Sequence, residues 1–296
     1  MLSIGGSSYA QQDALFSQYM FNPYAINPAY AGSRKTISGV VLHRSQWVGM
    51  AGSPKTTTLS IHSPFKGRKF ALGMTLMNDN IGPTTNSGFL ASYAYHLKLL
   101  KGKLSFGLRG GIFSTRLNKD MLNYDDASDI HNTGGFVKAA APNFDFGAYY
   151  YTQHFYLGLS SNHLLGQTIS YSDDVSNAQF ELKRHYSLAT GYAFAANPNM
   201  VVKPSLMVKY VDGAPVNIDI NTSVLFSKVF WLGASYRSSG SVILITEYNI
   251  SDFLRVGYSY DFILGNFKKY NSGSHELFIG VDFAIGKQKT ISPRYL

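Results

Sequence analysis

The chain has 296 residues and no cysteine, and Lys and Arg outnumber Asp and Glu by 26 to 17, a formal net charge of +9. The lack of cysteine excludes disulfides, zinc–thiolate sites, cysteine nucleophiles and the lipidated cysteine of a lipoprotein. Only 15% of the residues are charged while 15% are aromatic, and no run of about 18 apolar residues occurs, which excludes a helical membrane span but not a membrane barrel, whose strands alternate apolar and polar residues.

The first ten residues, MLSIGGSSYA, have the form of the end of a secretory signal, with Ser8-Tyr9-Ala10 as the small-x-small cleavage site and Gln11 as the mature start. The basic n-region is missing and the apolar core is short. Residues 1–10 are therefore expected to be a signal-peptide remnant.

Residues 11–35 form a distinct segment. Within it, FSQYMFNPYAINPAYAGS (Phe16 to Ser33) carries two Asn-Pro pairs, Asn22-Pro23 and Asn27-Pro28, among Phe16, Tyr19, Phe21, Tyr24 and Tyr30. Proline fixes its own φ and drives the preceding residue towards extended geometry. The segment is too irregular for a strand and too rich in Pro and Asn for a stable helix.

From Thr36 onward the pattern has period two. Ile218, Ile220, Thr222, Val224 and Phe226 alternate with Asn217, Asp219, Asn221 and Ser223; Leu277, Ile279, Val281 and Phe283 oppose Glu276, Gly280 and Asp282. Each such stretch has one apolar and one polar face. Fourteen strands are expected, near residues 36–49, 54–63, 68–78, 87–99, 103–118, 142–152, 154–162, 180–195, 200–211, 215–227, 229–238, 241–249, 252–263 and 274–286. Turns after even strands are short, and those after odd strands mostly longer, among them Asn78 to Thr85 and Asn118 to Ala141. An even count with this asymmetry is how outer-membrane barrels are built, with the short turns periplasmic. The fold class expected is all-β: a transmembrane antiparallel β-barrel over 36–286, a periplasmic tail at 287–296, both termini periplasmic, and the N-terminal segment at the periplasmic side or in the lumen. A soluble sandwich shares the alternation but would place more Lys and Glu on its polar face. Here that face is mostly Gly, Ser, Thr and Asn. The basic residues are scattered, which suits a rim facing anionic headgroups and not the clustered patch that nucleic acid requires.

No pattern points to catalysis. The eight His residues show no metal-helix spacing, and no nucleophile elbow or Walker loop occurs. The acidic loop residues Asp125, Asp126 and Asp129 and the pair Asp173-Asp174 lack the EF-hand pattern. No catalytic, cofactor-binding or metal residue is assigned. The polar parity does carry Arg109, Asp145, Asp219, Arg237, Glu247, Arg255, Asp261, Glu276 and Asp282. Charges of both signs in a closed wall need pairing or water. They suit either a water-filled pore or, better, a lumen filled by the N-terminal segment.

QQDALFSQYMFNPYAINPAYAGSR at 11–34 resembles the N-terminal signature of the PorP/SprF family of type IX secretion outer-membrane proteins of Bacteroidota. The resemblance continues through RSQWVGMAGSPKTTTLSIHSPF from Arg44, GMTLMNDNIGPT from Gly73, PNFDFGAYYY from Pro142, LGLSSNHLLG ending at Gly166, and the terminal SPRYL. It departs in the truncated leader and in Leu296, where an aromatic is expected. The resemblance implies a non-enzymatic barrel without cofactor, in the machinery that exports proteins bearing a C-terminal sorting domain. It further implies partners among the periplasmic ring, a peptidoglycan-binding lipoprotein, or a secreted surface protein of the gliding-adhesin kind, besides outer-membrane lipids. Phe16, Tyr19, Phe21, Asn22, Pro23, Tyr24, Asn27, Pro28 and Tyr30 are then either a plug or clamp, or a partner-docking epitope. A diffusion porin is the alternative function.

Overall fold

The period-two stretches form strands that hydrogen-bond to their sequence neighbours and close on themselves. The structure, a computed structural model, describes residues 13–65, 69–123, 134–171 and 179–285. Its strands are β1 (Thr36–Ser45), β2 (Lys55–Pro64), β3 (Phe70–Ile81), β4 (Thr84–Leu99), β5 (Gly102–Asn118), β6 (Phe136–Tyr151), β7 (Phe155–Asn162), β8 (Thr168–Ser170), β9 (Gln179–Glu181), β10 (His185–Tyr192), β11 (Phe194–Asn197), β12 (Met200–Val211), β13 (Asn217–Phe226), β14 (Phe230–Arg237), β15 (Ser241–Asn249), β16 (Leu254–Ile263) and β17 (Ser274–Ala284). β1 pairs with β17, Thr36 opposite Ala284, and β10 pairs with β12, His185 opposite Val211. With β10 and β11 counted as one stave, the result is a closed 14-strand antiparallel barrel.

Three local expectations need correction. Asn78 to Thr85 is not a loop: β3 and β4 extend to a two-residue turn at Gly82-Pro83, where Gly82 takes φ +52°. β6 begins at Phe136, six residues before the expected Pro142. Proline cannot donate to a ladder, but the β6–β7 ladder starts only at Phe146. Pro142 therefore lies on a locally free edge, which a loop covers: Leu164 N–H donates to Phe144 O, and Gln167 Nε2 to Pro142 O. Finally, the expected strand 180–195 is divided. Gln179–Glu181 pairs with Thr168–Ser170 in a loop hairpin, the stave starts at His185, and it breaks at Ala193, opposite the Lys203-Pro204 stretch of β12. The missing N–H of Pro204 is the reason for that break. The remnant at 1–10, the acidic residues Asp125, Asp126, Asp129, Asp173 and Asp174, and the tail 287–296 lie outside the described residues.

The alternation sorts side chains to two environments. Ile37, Val41, Leu108, Ile220, Leu232, Leu277 and Ile279 face outward and are exposed. Aromatics flank them: Tyr186, Tyr210, Tyr236 and Phe262 at the long-loop ends, and Tyr192, Phe230, Tyr248, Phe253 and Phe283 at the short-turn ends. An apolar band between two aromatic girdles matches a bilayer and its interfaces. The inward face holds the buried Ser, Thr, Asn and charged residues.

Ile279 sits mid-strand on the outer face, and Tyr236 near a strand end. Ile279→Arg is expected to destabilise the barrel by about 2–4 kcal/mol, and Tyr236→Arg by at most about 1 kcal/mol. Denaturant titration of folding into lipid vesicles measures both.

Candidate functional site

The lumen is occupied by the chain's own residues 13–34. The two Asn-Pro pairs shape their path. Asn22 (φ −135°) and Asn27 (φ −127°, ψ 112°) are non-helical, as residues before proline should be. Each proline then opens a single 3₁₀ turn, Pro23–Ala25 and Pro28–Tyr30. Asn27 caps the second turn by accepting from Ala29 N–H at 2.9 Å. Its amide nitrogen donates to the wall carbonyls of Ala148 (3.1 Å) and Leu159 (3.0 Å).

Turns this short leave most backbone polar groups without partners along the segment, and burial makes partners obligatory. The wall supplies them. Glu276 takes two amides, Ser17 N–H at 2.9 Å and Gln18 N–H at 2.8 Å. Cations take the carbonyls: Lys203 Nζ donates to Met20 O (3.4 Å), Arg255 Nη1 to Phe21 O (3.2 Å), Arg109 Nη1 to Ala25 O (3.3 Å), and Arg237 Nη2 to Phe16 O (3.4 Å). Toward the short-turn end His96 Nε2 lies 2.8 Å from Ala31 O, and Gly32 N–H donates to His62 Nδ1 at 3.2 Å.

The same charges pair with one another. Arg44 bridges Asp261 (2.7 Å) and Glu276 (3.3 Å) and donates to Ser17 Oγ (2.9 Å). Arg237 forks onto Asp219 at 2.9 and 3.0 Å and reaches Asp261 at 3.4 Å. Arg109 pairs with Asp145 at 2.7 Å. Arg255 bridges Glu247 and Asp282, both at 3.3 Å, and Asp282 also holds Arg34 at 2.9 Å. These arginines and carboxylates are thus both paired and hydrogen-bonded, the condition under which buried charges are tolerated; Lys203 is held instead by Met20 O and the rings of Tyr156 and Trp231.

Apolar packing completes the seal. Phe21 lies against Trp231 (5.8 Å between centroids) and Phe278 (6.1 Å); Tyr30 meets Tyr149 edge-on at 5.3 Å and His62 at 5.7 Å. Glycines let the segment approach the wall. A Cβ on Gly107 would run into the backbone of Pro28 and Ala29, and one on Gly147 into the Asn27 side chain.

The segment crosses the barrel from end to end. Arg34, paired with Asp282, is at the short-turn end, where β17 finishes. Asp13 is at the long-loop end, 3.0 Å from His163 and 3.4 Å from His185. Burial opposes the charge of Asp13, but the two imidazoles hold its carboxyl well below the usual range. Burial likewise opposes the charge of His163, yet Asp13 raises its pKa. Beside this cluster a cavity of about 750 Å3 opens between the segment and the wall, bounded by Phe16, Ile26, Met77, Leu90 and Phe113 among others. The β8–β9 hairpin folds in next to it, with Ile169 and Leu182 packed on Phe113, Ala139 and Ala141.

Every wall residue singled out from parity, Arg109, Asp145, Asp219, Arg237, Glu247, Arg255, Asp261, Glu276 and Asp282, faces this lumen, and each is in an ion pair. Of the segment residues, Tyr19, Phe21, Asn22, Tyr24, Asn27, Pro28 and Tyr30 are buried, and Phe16 and Pro23 partly so. None of the nine is exposed on the outer surface in this conformation. Sequence reasoning missed Arg34, Arg44 and Lys203. Arg44 was legible, since it shares strand parity with the buried Leu42, Val40 and Ser38. It also missed the meeting of Asp13, His163 and His185, which stand far apart along the chain.

These features define an outer-membrane type of β-barrel whose lumen is filled by its own N-terminal segment. Residues 8–281 match the family described as type IX secretion system membrane protein PorP/SprF, and the chain belongs to that family. None of the curated proteins matches it in sequence. Among solved structures it is similar to a Pseudomonas aeruginosa FadL homologue (10% identity, TM-score 0.53, covering 89% of this chain and 94% of that one). It is similar also to the Ralstonia pickettii toluene transporter TbuX (11%, 0.52, 89% and 93%) and the CymD monoaromatic hydrocarbon channel (12%, 0.52, 93% and 94%). At such identities the likeness is one of fold.

Arg44→Met leaves Asp261 and Glu276 short of a buried partner, and is expected to cost about 3–5 kcal/mol in unfolding free energy, read by denaturant titration. Gly107→Ala should cost about 1–3 kcal/mol through overpacking against the segment. In Gly88→Ala the new Cβ would meet nothing closer than 3.9 Å, so its unfolding midpoint should match the parent.

Proposed function

We propose that this barrel is a non-enzymatic anchor of the type IX secretion system, a docking body and not a conduit. The carrying observation is the lumen: the N-terminal segment fills it through buried ion pairs and backbone hydrogen bonds to the wall. A secreted polypeptide could not share that space. With the short turns periplasmic, as in barrels generally, the short-turn end faces the periplasmic ring or a peptidoglycan-binding lipoprotein. The long loops face a secreted protein with a C-terminal sorting domain, such as a gliding adhesin. Because the segment's aromatic residues are buried, its role in this reading is to set the barrel's shape and close its lumen, and partners meet the loops and turns.

The second reading is a channel for small molecules. It is favoured by the cavity of about 750 Å3 and by fold neighbours that transport hydrocarbons. Two measurements separate the readings. Affinity purification of the full chain from native membranes should co-recover a sorting-domain protein or a ring component; recovering neither defeats the anchor. In planar bilayers the full chain should be electrically silent, while deletion of residues 13–33 should open a conductance. A wild-type barrel that conducts steadily supports the channel instead.

A further inference from the structure

Asp13, His163 and His185 meet at the long-loop end of the lumen, and their potential ligand atoms all lie within 4.8 Å of one another. His163 follows β7 and His185 opens β10, so the two imidazoles stand at the two feet of the loop that carries the β8–β9 hairpin. Asp13 comes from the luminal segment. The cluster therefore joins three pieces of chain at one point.

Its hydrogen bonding is incomplete in an informative way. Asn143 Nδ2 donates to Asp145 Oδ1 at 3.4 Å, which turns Asn143 Oδ1 toward His163 Nδ1 at 3.0 Å. Nδ1 must then carry the proton. The backbone N–H of His163 is tied to Asp145 as well, at 2.9 Å. His163 Nε2 is left facing Asp13 Oδ1 at 3.0 Å, an acceptor against an acceptor unless a proton or a cation lies between them. His185 presents Nδ1 to the second oxygen of the same carboxylate at 3.4 Å, and its buried Nε2 has no partner among the described residues. A proton on His163 Nε2 would settle the first contact and one on His185 Nδ1 the second; a single cation among the three groups would settle both at once.

Two imidazoles and a carboxylate are the donor set that Zn²⁺ and similar divalent transition metals prefer, and a hydrogen bond from the far ring nitrogen is the usual support of a ligating histidine. Metal–ligand bonds near 2.0–2.1 Å place tetrahedral ligand atoms about 3.3 Å apart; here His163 Nε2 lies 3.0 Å from one Asp13 oxygen, His185 Nδ1 lies 3.4 Å from the other, and one ligand atom from each group falls within 4.8 Å of the other two. Lys209 on β12 acts on the same carboxylate and opposes a cation, while Asp79 on β3 is near enough to act on Asp13 and adds negative charge beside it. We propose that Asp13, His163 and His185 bind a divalent transition-metal ion of the Zn²⁺ class, with a fourth position open to the adjoining cavity, and that the ion pins the start of the luminal segment to both feet of the hairpin loop. The site's existence does not depend on which secretion partner the barrel serves.

The test uses untagged, full-length barrel in detergent, stripped with a chelator and dialysed against ZnSO₄, with metal content read by elemental analysis and affinity by competition with a chromophoric chelator. About one zinc per chain is expected, with affinity reduced by tenfold or more, on the order of the 10–100-fold seen for lost metal-site support, in Asp13→Asn and in His185→Gln. His43→Gln, on the outer surface, should bind like the parent. Substituted Co²⁺ should give the visible absorption of a low-coordinate nitrogen–oxygen site. Heat-modifiable migration on gels certifies that each variant is folded. Should both variants fail to fold, the parent decides: no stoichiometric zinc and no cobalt band overturns the proposal. Equal binding by parent and both folded variants overturns it too, by placing the metal elsewhere.

Discussion

A backbone that is neither helix nor strand cannot be buried unless something else completes its hydrogen bonds. The luminal segment of this barrel is such a backbone, and much else in the wall follows from it. Glu276 is where two amides of the segment point, and Lys203, Arg109, Arg255 and Arg237 are where its carbonyls point. Once those charges are committed, they need counter-charges: Asp145, Asp219, Asp261, Glu247 and Asp282 provide them for the three arginines, and Arg44 does so for Glu276. The mixture of signs in the wall is therefore a consequence of what the lumen contains. A solvated pore that selects ions would show a ring of one sign.

The strands were readable from the sequence because lipid outside and a polar interior inside impose strict alternation on every stave. Their ends were less readable, and the reasons are local. Gly82-Pro83 looks like part of a long loop because Asn and Thr surround it, yet those residues pair across β3 and β4, Asn78 opposite Ser87 and Asn80 opposite Thr85 on the outward face and Asp79 opposite Asn86 on the inward one. Pro142 reads as a strand start because a proline should not interrupt a ladder; it is allowed only because β7 stops short of it. The same rule, applied to Pro204, would have found the break in the eighth stave, but finding it needs the partner strand as well as the proline.

The luminal site was partly legible. Parity identified the charged wall residues, since an inward position is a property of sequence spacing. It could not say which wall residue meets which part of the segment, because that is decided by the register of fourteen staves around an irregular path. Asp13, His163 and His185 illustrate the limit. The two histidines bracket a loop, and the aspartate lies about 150 positions before the first of them; no local spacing announces the meeting. The glycines at 107 and 147 were likewise visible only as small residues, and their purpose becomes evident when Pro28 and Asn27 are placed against them.

The way the segment is held bears on how it can move. Withdrawing one stretch of it would strand charges that the remaining stretch and the wall no longer satisfy, and a buried charge that loses one partner costs about 3–5 kcal/mol. Partial withdrawal is therefore the expensive state: the penalty is relieved only when water fills the space and solvates the whole wall. A lumen wired this way favours two conditions, filled by the segment or flooded, over a graded series between them. The cavity beside Phe16 and Ile26 marks where the filling is least complete, and it lies at the end where Asp13 ties the segment to the wall. Contacts at that end, more than the central ion pairs, thus govern whether the filled state persists.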